Sequence, residues 1–117
     1  MKVWKIDADI LAVGAIGTNP NHAGTWGNEN GTCLIRDGKV RGVTHKDESN
    51  CPAGDDILTV RFRIKDDDGE LYYEGRMTAE LSGSDEVFRP LNDFATPNDG
   101  ATSLEIYNNA KRIWQMI

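Results

Sequence analysis

Surplus positive charge, long apolar runs, cysteine and histidine are all scarce in this 117-residue chain, and each scarcity excludes something. Thirteen Lys and Arg stand against nineteen Asp and Glu, a net charge of -6. A protein that grips nucleic acid by its phosphates needs the opposite balance to displace counterions, so direct nucleic-acid binding is not expected. No window approaches the roughly eighteen consecutive apolar residues of a membrane-spanning helix. The start, Met1-Lys2-Val3-Trp4-Lys5-Ile6-Asp7-Ala8-Asp9, puts two carboxylates where a signal peptide needs an apolar run. The expectation is a cytoplasmic protein without membrane contact.

With two cysteines and two histidines, metal chemistry is poorly supplied. His22, Cys33, His45 and Cys51 include no close pair of the kind zinc sites show. In a reducing compartment Cys33, inside Thr32-Cys33-Leu34-Ile35, reads as a small buried hydrophobe, and Cys51 as a thiol in a polar loop. Asp66-Asp67-Asp68-Gly69-Glu70 resembles a calcium loop only at a glance: Ile64 and Gly75 stand where oxygen ligands would be required, so the stretch reads as a turn. No His-Glu-x-x-His, nucleophile elbow or Walker sequence occurs. Neither a metal nor a cofactor is expected, and the reading is of a protein that is not an enzyme.

Strong core formers are also few. Leu, Ile, Val and Phe make up 25 of the 117 residues, close to the level at which chains stay unfolded. Nine aromatics from Trp4 to Trp114 argue for a folded single domain over residues 1–117, with a thin core. A second copy of the chain is therefore a candidate partner, because association buries more surface.

What is present points to strands. In residues 3–13 Trp4, Ile6, Ala8 and Ile10 share one parity and Lys5, Asp7 and Asp9 the other, the alternation of a half-buried strand. Residues 14–31 are rich in Gly and Asn and read as a loop; they lack the Gly-Lys-Ser/Thr and following helix of a phosphate cradle. If that loop meets a ligand, His22 and Trp26 are its contacts. Asp37-Gly38 between Gly31–Arg36 and Lys39–Val43 predicts a hairpin. Residues 44–56 read as a surface loop.

A second hairpin is expected over residues 57–79. Cross-strand charge favours a four-residue loop, Asp66 to Gly69, with Gly69 left-handed and Arg61 opposite Glu74; the alternative sets Arg61 against Arg76, which repels. Glu86-Val87-Phe88-Arg89 reads as a short strand, followed by an ordered loop in which Leu91 and Phe94 fold back on the sheet, and Pro97-Asn98-Asp99-Gly100 as a turn. Residues 102–117 fit an amphipathic helix or a hairpin around Asn108-Asn109; the β-branched and aromatic flanks favour the hairpin. The expected fold is mainly β, a small antiparallel sheet or open barrel built from hairpins, with at most one helix, at the C-terminus.

Charge is unevenly placed: residues 47–100 carry five Lys/Arg against fourteen Asp/Glu. Within that acidic segment, the polar face of the second hairpin gathers Arg61, Arg63, Lys65, Tyr72 and Arg76. Forked guanidiniums beside an aromatic suit a phosphorylated or nucleotide-like molecule. The function expected is therefore non-enzymatic binding, sequestering a small anionic molecule through Arg61, Arg63, Tyr72 and Arg76, with His22 and Trp26. The alternative is an acidic inhibitor that occupies a basic surface of a protein partner, mimicking nucleic acid as accessory proteins of viruses or mobile elements do. A metal-assisted hydrolase comes third.

Overall fold

A computed structural model describes residues 2–11, 21–28, 31–36, 39–43 and 56–117. Eight strands, all paired antiparallel, form one sheet: β1 (Val3–Asp9), β2 (Trp26–Asn28), β3 (Gly31–Arg36), β4 (Lys39–Val43), β5 (Val60–Lys65), β6 (Leu71–Met77), β7 (Ser103–Asn108) and β8 (Ile113–Met116). Their order across the sheet is β4-β3-β2-β1-β6-β5-β7-β8, so the sheet is open, with β4 and β8 at its edges. The mainly β, antiparallel, hairpin-built expectation holds. The loop expected over residues 44–56 lies almost wholly outside the described residues, as does Cys51.

β1 sits in the middle of the sheet, and its alternation is broken by one residue. Trp4 and Ile6 point into the core, as their parity predicts. Ile6 then pairs with Gly75 and Ala8 with Glu74, which leaves Asp7 as an extra, bulged residue. The bulge reverses the parity beyond it. Asp9, expected on the polar face, lies opposite the buried Tyr73 and is only 3% exposed, whereas Ala8 moves to the other side. The strand ends at Asp9, not at residue 13.

The Gly/Asn-rich stretch is not loop throughout. Trp26-Gly27-Asn28 forms β2 between β1 and β3. Gly27 lies opposite Trp4, whose indole covers it so closely that a Cβ there would stand 2.5 Å from the ring. The same device recurs at Phe62, which lies opposite Gly75 and whose ring fills the space a side chain would take. Each pair lets a large aromatic lie flat on the neighbouring strand, which restores the packing that a strand glycine forfeits.

The β5–β6 hairpin forms where expected, but in the register that charge pairing disfavours. Arg61 is opposite Arg76, Phe62 opposite Gly75, Arg63 opposite Glu74 and Ile64 opposite Tyr73. A bulge at Tyr72 then carries the chain into the turn, where the Gly69 N–H donates to the Asp66 carbonyl and the Asp66 side chain accepts from the Asp68 and Glu70 amides. Gly69 takes the left-handed conformation expected of it, at φ 80°. Cross-strand ion pairs are worth about 0.2–1 kcal/mol each, whereas burying a phenylalanine contributes about 1.5–3 kcal/mol. Seating Phe62 over Gly75 outweighs the repulsion. Charge is answered sideways instead: the Arg76 guanidinium donates to both Asp7 oxygens on β1, at 2.8 and 2.9 Å.

Between β6 and β7 the chain crosses one face of the sheet as a compact helical segment: α1 (Ala79–Ser82), a turn of π-helix (Pro90–Ala95) and α2 (Thr96–Asp99). Residues 86–89 are turn and helix, not the expected strand, and residues 97–100 close a helix with Gly100 as its left-handed cap. Val87, Leu91, Phe94 and Ala95 recur at helical spacing and are buried against the sheet. Pro90 and Pro97, read as breakers, occupy helix starts, where a missing N–H costs nothing. Leu91 and Phe94 fold back as expected. The C-terminal segment is the hairpin β7–β8, so no helix forms at residues 102–117, while the crossover holds more helix than the single one expected.

Candidate functional site

The helical crossover covers the face carrying Trp4, Ile6, Phe62, Ile64 and Tyr73. Across the other face, cross-strand neighbours line up in rows. One row runs Trp26 (β2), Lys5 (β1), Arg76 (β6), Arg61 (β5), then Tyr107 (β7) and Trp114 (β8). Three cations stand abreast with aromatics at both ends. The next row alternates in sign beyond Ala8: Glu74, Arg63, Glu105 and finally Met116.

The aromatic end is tightly organised. Tyr107 and Trp114 stack with centroids 5.2 Å apart, and the Arg61 guanidinium lies over both, 5.0 and 5.2 Å from their centroids. Arg63 sits 4.3 Å from the Trp114 centroid and donates to Glu105, which also receives Lys65 Nζ at 3.3 Å. Burial pushes the Glu105 carboxyl up, but the hydrogen bonds from Arg63 and Lys65 outweigh it and hold the group below its ordinary range. Arg76 is clamped by Asp7. Arg61 has no carboxylate within ion-pair distance among the described residues, and its side chain is exposed.

Beside Arg61 the surface dips into a depression of about 250 Å³, lined by Asp7, Arg61, Phe62, Glu74, Gly75, Arg76 and Trp114. Two of the residues singled out from sequence, Arg61 and Arg76, form its sides, and Arg63 adjoins it through Trp114. Trp26 ends the same row at the far side, 3% exposed. Tyr72 does not join the arginines: the bulge turns it against the core, and it shares a hydrogen bond with Asp66 at the hairpin turn. Tyr107 and Trp114, which the sequence reading did not single out, supply the aromatic surface that Tyr72 was expected to give. The alternation of Leu104-Glu105-Ile106-Tyr107 and its pairing with Trp114 in the C-terminal hairpin were the signals that could have found them.

His22 lies on the opposite side, in a buried polar cluster. Asp9 Oδ2 accepts the His22 backbone N–H at 3.0 Å and lies 3.2 Å from its Nδ1. The imidazole meets Phe94 and Tyr73 edge-on, at 5.5 and 6.4 Å, and the Tyr73 hydroxyl donates to Asp99. Burial, then the hydrogen bond and charge of Asp99, push the Tyr73 phenol far above its ordinary value. At 7% and 3% exposure, His22 and Asp9 staple residues 21–25 to β1 beneath the crossover. Cys33, expected to be buried, is 7% exposed. Compared with family models, with curated proteins and with solved structures, the chain matches none.

Proposed function

We propose that the arginine-bearing face of the sheet captures a small anionic molecule of the nucleotide-like class, and that the protein acts by binding and not by catalysis. The observation that carries this reading is Arg61: exposed and without a carboxylate within ion-pair distance among the described residues, it lies over the stacked Tyr107–Trp114 pair beside a depression. An anion in that depression takes Arg61 as its forked donor, and a flat ring finds an aromatic surface alongside. The volume, below the usual ligand pocket of about 300–1,000 Å³, suits a phosphorylated sugar or mononucleotide better than a longer chain. Glu74 and Asp7 at the rim favour ligands that also carry hydrogen-bond donors, such as ribose hydroxyls.

Thermal unfolding across a panel of mononucleotides and sugar phosphates tests this. A ligand at about a hundred times its dissociation constant adds about 2.7 kcal/mol to the native state, so at least one member should raise the midpoint by several degrees. Arg61→Ala and Trp114→Ala should abolish that rise while Arg89→Ala, on the crossover, keeps it. A panel without any rise, or a rise that survives Arg61→Ala, overturns the reading.

A further inference from the structure

The two edges of the sheet differ in kind. β4 carries Lys39 and Arg41 within five residues, charge of the sort that discourages pairing between edges. β8 reads Ile113-Trp114-Gln115-Met116 and carries no charge. Among the described residues the exposed large hydrophobics are Ile57, Ile113, Met116 and Ile117, and the last three, at 47%, 70% and 50% exposure, lie on or next to this one edge strand.

We propose that β8 pairs antiparallel with β8 of a second copy of the chain, about a two-fold axis through Gln115, joining two sheets into one. Such an axis stands perpendicular to the sheet and keeps every residue on its own face, so opposing residues must share parity. Trp114 and Met116 face the arginine side, opposite Tyr107 and Glu105 in the register with β7; Ile113, Gln115 and Ile117 alternate with them. Centring the axis on Trp114 sets Arg112 against Met116 and Ile113 against Gln115. Centring it on Gln115 sets Trp114 against the partner's Met116 and Ile113 against the partner's Ile117, each twice. Only this second register matches apolar with apolar at every exposed hydrophobic of the strand. It also lays a thioether on the Trp114 ring, a favourable contact, so the second copy adds a residue to the aromatic end of the cationic row. The inference stands on the composition and register of the edge and does not depend on what ligand the face binds.

Sedimentation equilibrium of the full chain should show a dimer in exchange with monomer. Ile113→Glu with Ile117→Glu, placed at exposed positions, sets like charges opposite each other twice and should leave monomer alone, with the circular dichroism of the wild type. Mixing that variant with Ile113→Lys/Ile117→Lys should restore the dimer mass as a heterodimer. Gln115→Cys should give a disulfide-linked dimer under oxidation, since directly opposed strand residues have Cα atoms about 4.5–5.5 Å apart; Ile113→Cys, which faces Ile117, should not. A wild type that stays monomeric throughout, a dimer indifferent to the paired glutamates, or cross-linking through Ile113→Cys in place of Gln115→Cys overturns the proposal.

Discussion

At the scale of single residues, burial decides what ionises. Tyr73 is wholly buried and its hydroxyl is committed to Asp99, so the folded protein holds the phenol protonated well past the ordinary value of 10.0, while the unfolded chain ionises there. The linkage has a definite sign: the contribution of Tyr73 is complete below that value and is lost as pH rises above it, because only the unfolded state releases the proton. Tyr73→Phe should cost about 1.5 kcal/mol near neutral pH through loss of a hydrogen bond to a charged group. Urea unfolding should show the gap to wild type closing as pH climbs beyond 10.0; a gap that stays constant would contradict the assignment. Much at this scale was legible in the sequence: the inward Trp4 and Phe62, the buried Cys33, the left-handed Gly69. Asp9 and His22 were not, because a one-residue bulge leaves no mark in an alternation pattern and yet reverses which side chains are buried.

Strands and hairpins were read correctly where local chemistry fixes them, as in the pairing of β3 with β4, whose turn Asp37-Gly38 lies outside the described residues, and at Asp66-Asp67-Asp68-Gly69. Register escaped because a pairwise charge argument sees two strands, whereas β5 and β6 each have a neighbour on both sides. Arg76 is satisfied by Asp7 on β1, and Arg61 by the aromatic rings of β7 and β8. Asp7→Asn should therefore remove the bidentate acceptor of Arg76, which faces Arg61. About 1 kcal/mol is expected at low ionic strength. Since exposed charges are screened over about 10 Å at 0.1 M salt, the difference in unfolding midpoint between variant and wild type should shrink as salt is added. Widening with salt would show that the bidentate bond does not hold the like charges in check. The helical crossover was missed for a different reason: Pro90 and Pro97 look like interruptions unless the helix start is already known.

Across the whole molecule, the fold class was visible and the order of strands was not. Mainly β character follows from alternation and turn chemistry, but nothing local announces that the first strand lies between β2 and β6, the latter some seventy residues further along the chain. That placement makes the two ends of the chain unequal. Removing residues 1–9 separates β2 from β6 and takes Trp4 and Ile6 out of the core, so no cooperative unfolding transition should remain. Removing residues 109–117 strips only an edge strand; a transition should persist at a lower midpoint, because β7 still pairs with β5 and Leu104 stays buried. Circular dichroism during heating distinguishes the two, and a cooperative transition from the N-terminal deletion would refute the central role of β1.

The bulge at Asp7 also governs how the gene for this chain can change. Deleting its codon would leave Ala8 directly after Ile6, still opposite Glu74, and Asp9 still opposite Tyr73, so the strand would keep its faces and lose the bidentate acceptor of Arg76, as it does when Asp7 is replaced. Substitution and deletion at this one position are thus penalised alike, whereas elsewhere in β1 a lost residue shifts the ladder.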